Sequence, residues 1–185
     1  MIKDLLKETE NRMQKAVEAL EVDYRSVRTG RASPALVDRV KVEYYGTQTP
    51  LKQLAVISAP EPHLIVIRPY DASSIEAVEK GIMQADLGLN PSNDGHVVRI
   101  PIPRLTEERR RDLVKVVSRR LEEAKVALRN IRRDTLEDLR SFEKEKIVSE
   151  DEFERGKDQL QELTDMYTEK VEEIAERKEA EIMEV

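Results

Sequence analysis

The stretch Leu105–Phe142, LTEERRRDLVKVVSRRLEEAKVALRNIRRDTLEDLRSF, decides the fold. Within it Leu113, Val117, Leu121, Ala124, Leu128, Ile131, Thr135, Leu139 and Phe142 recur at spacings of three and four, the repeat of a helix with one apolar face. Thr106 is a good N-cap, and Glu107 and Glu108 follow in the first turn, where the positive end of the helix dipole favours acids. A helix of about 40 residues, roughly 60 Å long, is expected. With a single apolar stripe it cannot stand alone in water and requires helical partners.

Two further segments supply them. Ile2, Leu6, Thr9, Met13, Ala16, Leu20, Tyr24 and Val27 share one helical face near the start of the chain. Near its end Phe153, Leu160, Leu163, Tyr167, Val171 and Ile174 form a stripe, with Ile182 further along. Ser149 with Glu152 reads as a capping box opening that helix.

Between the first and second long helices the texture changes. Residues 31–105 hold all eight prolines and four of the six glycines. Val40, Val42 and Tyr44 alternate with polar residues up to a Gly46 turn, which is strand periodicity. Leu54–Ser58 and the run Leu64–Ile67 read as strands, the latter buried on both faces. Ser73 with Glu76 reads as a second capping box, opening a helix through Ile75, Val78 and Ile82 to a stop at Gly88. Asp94-Gly95 turns into a last strand, Val97–Ile102. The expected fold is α+β: residues 1–30 and 105–185 form an elongated three-helix bundle, and 31–104 form a small inserted β/α/β domain. The connectors contain Gly30 and Pro103, and serve equally as hinge or rigid joint. Gly30 would end the first helix with φ > 0.

Composition excludes several classes. There is no Cys, so neither a disulfide nor a thiolate metal site is available. MIKDLLKETE is charged within its first four residues and lacks the apolar stretch of a signal peptide. No run approaches the ~18 apolar residues of a membrane helix, so a soluble cytoplasmic protein without a membrane partner is expected. Phosphate-loop, dinucleotide-binding and zinc-protease motifs are absent. His63 and His96 lack a second ligand at helical spacing, and no metal, cofactor or enzymatic activity is expected.

The net charge of −6 conceals an asymmetry. Arg109–Arg133 holds ten Lys/Arg and three Asp/Glu, a local +7, whereas the chain from Asp134 holds eight and nineteen, or −11. A polyanion responds to the local patch, because exposed charges are screened beyond about 8 Å. At 100° per residue Arg111, Lys115, Arg119, Arg129, Arg133 and Arg140 fall within about 80° of one another, opposite the apolar seam. Arg132 and Lys125 flank this stripe, and Glu122 interrupts it. A solubilising face normally mixes both signs, and arginine's planar fork suits bidentate phosphate contact. The stripe therefore points to nucleic acid, with an acidic protein partner or the chain's own acidic third helix as alternatives. Base stacking is poorly supported, since Tyr24 and Tyr167 lie on core seams and Tyr44 and Tyr45 would face opposite sides of a strand. Folded RNA held by its phosphates fits better.

RTGRASPAL (Arg28–Leu36), VEYYG (Val42–Gly46), DLGLNP (Asp86–Pro91), LTEERRRDLVK (Leu105–Lys115), EEAKVALRNIRRD (Glu122–Asp134) and the terminal KEAEIMEV together resemble the ribosome-recycling factor family, in order and nearly end to end. Tyr70 stands where many of that family carry Trp. The resemblance implies an L-shaped molecule, active as a monomer, that binds the post-termination ribosome. With elongation factor G and GTP it would split the ribosome into subunits, freeing messenger and tRNA. It implies large-subunit rRNA contacts at Arg129, Arg132 and Arg133, with Arg28 and Arg31 as weaker candidates. The smaller domain would swing about Gly30 and Pro103 and meet elongation factor G. The competing reading is a coiled-coil adaptor or chaperone-like protein-binding module, which expects no segregated arginine stripe.

Overall fold

The computed structural model describes residues 1–184; Val185, the last residue of the KEAEIMEV stretch, lies outside them. The chain forms two compact units. One comprises Met1–Arg28 with the chain from Glu107 onward, and the other is Thr29–Thr106.

The first unit is a bundle of three helices, α1 (Ile2–Arg25), α4 (Glu107–Lys144) and α5 (Glu150–Met183), each packed against the other two. At 38 residues α4 is about 57 Å long. Its seam buries Leu113, Val117, Ala124, Leu128, Ile131, Thr135 and Leu139. The α1 seam is Thr9, Met13, Val17, Leu20 and Tyr24, so Val17 takes the fully buried position and Ala16 is half-buried. On α5, Thr164 and Ala175 are buried while Leu163 and Ile174 are half-buried. The Ser149 capping box is complete: Ser149 Oγ accepts from the Glu152 amide at 3.2 Å, and the Glu152 carboxylate accepts from the Ser149 amide at 2.8 Å. Gly156, which carries no periodic signal, lies in the seam, where an added Cβ would stand 3.2 Å from Ile2 Cγ2 and 3.4 Å from Leu139 Cδ2.

Two polar contacts cross this core. The Thr9 and Thr135 hydroxyls lie 2.8 Å apart, and each also lies within hydrogen-bonding distance of a carbonyl on its own helix, Leu5 O and Ile131 O. Two protons serve three contacts, so one hydroxyl donates across the seam while the other donates to its own backbone. Tyr24 donates its hydroxyl to Val117 O at 2.8 Å, and burial, reinforced by Glu179, pushes its pKa up to about 12.

The second unit starts with the hairpin of β1 (Lys41–Tyr44) and β2 (Thr47–Pro50). Tyr45 (φ 48°) and Gly46 (φ 78°) join them in a two-residue turn of the I′ kind. After a single turn, α2 (Leu51–Leu54), come β3 (Ala55–Glu61), β4 (Leu64–Pro69), α3 (Ile75–Gln84), β5 (Ser92–Asn93) and β6 (Val98–Pro101). The last four strands form an antiparallel sheet in the order β3-β4-β6-β5. Its core gathers Val37, Val40, Val42, Leu51, Ile65, Ile67, Val78, Ile82, Val98 and Ile100.

Four local expectations are corrected here. β4 buries Ile65 and Ile67 but only half-buries Leu64 and Val66, as suits an antiparallel sheet covered on one face. Ser73 does not cap α3; its amide and hydroxyl both donate to Asp71 Oδ1, which caps a 3₁₀ turn, Ala72–Ser74, that leads into the helix. These bonds and a third from Tyr44 hold the Asp71 carboxyl below its ordinary pKa. α3 ends at Gln84, and the first left-handed residue after it is Asp86 (φ 51°), two residues ahead of Gly88 (φ 67°). Finally, α1 ends at Ser26 in right-handed geometry, so Gly30 (φ 71°) is not its cap. Gly30 and Leu105 both belong to the second unit, not the bundle.

The arginine face of the longest helix

Internal pairing divides the basic residues of α4 into two groups. Lys125 forms a 2.5 Å ion pair with Glu172 of α5 and lies 3.8 Å from Glu122, so the acidic interruption of the stripe is neutralised on the spot. Arg120 reaches back to α1, pairing with the Asp23 carboxylate at 3.5 Å and donating to its carbonyl at 3.3 Å. Arg111 pairs with Glu107 one turn earlier, and Lys115 lies 3.9 Å from Asp112. Lys125 and Arg120 are thus tied to neighbouring helices, whereas the pairs of Arg111 and Lys115 are exposed and lie within α4 itself.

Arg119, Arg129, Arg133 and Arg140 are exposed and carry no hydrogen bond or ion pair to another described residue. They occupy one side of α4, directly opposite the seam, with their charge fully available to a ligand. Val126, 43% exposed, sits among them on the same side and gives no basic signal in the sequence.

Arg132 is half-buried and donates from Nη1 to Gln161 Oε1 of α5 at 3.2 Å, a neutral partner that leaves its charge uncompensated. It lines a groove between α4 and α5 with Arg140, Lys157, Leu136 and Phe153. Lys157 is engaged there, 2.9 Å from Glu154 Oε2 and over the Phe153 ring. The alternative that the stripe serves the acidic third helix thus applies to Lys125 and, through a neutral amide, to Arg132, but not to Arg129 or Arg133.

The other expected residues lie outside this face. Arg28 is exposed at the edge of the first unit, and Arg31 has its own interaction partner in the second. Pro103 is exposed two residues after β6. His63 is used structurally, its Nδ1 lying 3.1 Å from Gly30 O. Among the described residues no group of acidic or histidine side chains could hold a metal ion, and no helix is long and apolar enough to cross a membrane.

By fold the chain is a three-helix bundle with a small α+β unit inserted in sequence between its first and second long helices. Residues 20–183 match the family model described as ribosome recycling factor. The chain is 56% identical over 185 residues to the ribosome-recycling factors of Heliobacterium modesticaldum and Chloroflexus aurantiacus, covering all of both chains in each case. It is also similar to a solution structure of the ribosome recycling factor, with a TM-score of 0.73 at 46% identity, covering 100% of this chain and 98% of that one. A second similar structure is the T. thermophilus factor described together with E. coli elongation factor G bound to the E. coli post-termination complex. There the TM-score is 0.63 at 47% identity, and both chains are covered completely. The chain belongs to the ribosome recycling factor family.

Proposed function

We propose that this chain binds the post-termination ribosome and, together with elongation factor G and GTP, splits it into subunits, releasing messenger and tRNA. The observation that carries this reading is the row of uncompensated arginines on α4, in a chain whose full-length relatives are ribosome-recycling factors. Arg129, Arg132 and Arg133 grip phosphates of large-subunit rRNA, with Arg28 and Arg31 in supporting roles. Guanidinium forks suit that task, because phosphate recognition rewards paired, planar donors. The chain acts in the cytoplasm as a monomer, without a cofactor and without catalysis of its own; the GTPase partner performs the phosphoryl chemistry. Gly30 and Pro103 lie on the two connectors about which the smaller unit turns while it engages elongation factor G.

The test is a subunit-splitting assay on post-termination ribosomes. Splitting should require the chain, elongation factor G and GTP together, and should fall when Arg129 and Arg133 are replaced. Splitting at the same rate without the chain would overturn the reading.

A further inference from the structure

The tip of the β1–β2 hairpin breaks a local rule. A turn of the I′ kind needs positive φ at both central residues, and Asn, Asp or Gly normally fill them. Here the first is Tyr45 at φ 48°, a conformation that bulky side chains rarely adopt. The strain is not recovered by burial, since Tyr45 is 83% exposed. Its ring packs edge to face with that of Tyr44, centroids 4.5 Å apart, and Tyr44 is tied in turn through its hydroxyl to Asp71 Oδ2 at 3.1 Å. A large aromatic ring is therefore held out in water on a braced support. Departures from local preference concentrate at functional positions.

What lies beside the ring indicates the ligand. Tyr45 borders a groove between the hairpin and α3, whose polar lining includes Lys41, Glu43, Gln48, Lys80 and Gln84. The close approach of the two walls depends on Gly81, where an added Cβ would stand 3.0 Å from Val42 Cγ2 and 3.1 Å from Lys41 O. Lys41 and Lys80 pair with no acid among the described residues, and Glu43 is the single acid in the lining. An aromatic face for a base, two free ammonium groups for phosphate and two amides able to read a base edge make up the chemistry of single-stranded RNA sites. An apolar peptide would find almost no apolar wall, and an acidic one would leave the ring unused.

We infer that this groove binds an unpaired RNA nucleotide, its base stacked on Tyr45 and its phosphate between Lys41 and Lys80. The site is separate from the arginine face and stands or falls independently of it. Tyr45 lies in the turn and not in a strand, so strand alternation does not govern where its ring points.

The test is a titration of the ¹⁵N-labelled full chain with a hexauridylate RNA. Amide shifts are expected at Tyr45, Gly46 and Gln48 and along Lys80–Gln84, as a set separate from any on α4. Tyr45→Asn suits the turn better, so it should melt no lower than the parent while hexauridylate affinity at this groove drops about tenfold, as expected for loss of one stacked base. Tyr45→Phe should keep the affinity. Wild-type affinity in Tyr45→Asn, or shifts confined to α4, would overturn the inference. So would a clearly lowered melting temperature in Tyr45→Asn, which would make the ring structural. If a hexaglutamate peptide moves the same amides as strongly as the RNA does, the groove is a protein site and the inference likewise fails.

Discussion

The Cβ that Gly30 lacks would stand 2.8 Å from Cγ of Leu105, closer than carbon atoms of packed side chains come. Gly30 is also held at φ 71°, so two independent constraints exclude a side chain there. The chain entering the second unit and the chain leaving it are thereby packed directly on each other. Alanine should lower stability by more than the ~1 kcal/mol that left-handed backbone alone costs. Leu105→Ala should relieve the steric part, so the double variant should lose less than the sum of the singles in denaturant titrations. Strict additivity would show that the contact carries no energy. Splitting per bound factor separates the hinge proposal from this packing role: only a hinge predicts slower splitting by a fully bound variant.

The arginines should separate by salt dependence. Arg129→Ala with Arg133→Ala should reduce the slope of log affinity for large subunits against log salt by about two units. Stability should stay within about 0.5 kcal/mol, as expected for exposed residues without partners. Lys125→Ala should do the reverse, leaving the slope nearly unchanged while costing about 0.2–1 kcal/mol through the lost pair with Glu172. An unchanged slope in the double arginine variant would remove phosphate contact from those positions.

Tyr24 should make the bundle sensitive to alkali. Its hydroxyl fits only as a donor to Val117 O, and its pKa is raised from 10 to about 12, chiefly by burial. The folded state therefore favours the protonated form. The contribution is fully present below pH 10 and is lost as pH rises towards 12. Urea midpoints should hold nearly level up to pH 10 and fall between pH 10 and about 12, less steeply in Tyr24→Phe. Tyr44 and Tyr167, whose pKa values burial also raises, act in the same direction. Identical pH profiles for the two proteins would refute this assignment.

Gly156 offers a test of helix packing. Alanine is favoured by up to ~1 kcal/mol in a helix interior, but its methyl would press on Ile2 Cγ2 at 3.2 Å. Ile2 is half-buried near the start of α1 and can give way, so Gly156→Ala should be close to neutral. Gly156→Leu should cost about 1–3 kcal/mol by overpacking. A leucine variant as stable as the parent would mean that α1 and α5 need not approach so closely.

The bundle was legible because the three- and four-residue spacing of Leu113 through Phe142 has one structural solution. The arginine stripe was legible for the same reason, since position on a helix follows from residue number. Pairing was not: nothing local distinguishes Lys125, tied to Glu172, from Arg129, which has no partner, because the partners come from another helix. Errors gathered where several residues compete for one signal. Asp71 fills the capping role expected of Ser73, and α3 stops short of Gly88, with Asp86 the first left-handed residue after it. Strand alternation does not reach Tyr45, because β1 ends at Tyr44 and Tyr45 opens the turn. Gly156 is invisible to periodicity because a missing side chain leaves no periodic mark.

The buried pair of Thr9 and Thr135 fixes more than a hydrogen bond. Apolar seams that repeat every three or four residues are nearly degenerate to a slip of one turn, about 5.4 Å, because one aliphatic side chain packs much like the next. A hydroxyl is not interchangeable in this way. Sliding α1 by one turn along α4 would set Thr9 beside Ile131 or Leu139; each hydroxyl would keep its own-helix carbonyl, Leu5 O or Ile131 O, but the bond between the helices would be lost, so only one alignment joins the two. The pair acts as an index mark, as single polar residues do in coiled coils. A long rod with a smooth seam can be compressed or sheared along its axis; this one is keyed. The arginines of α4 are thereby held at one height against α1, and the alignment of the charged face with the rest of the bundle is marked by this pair.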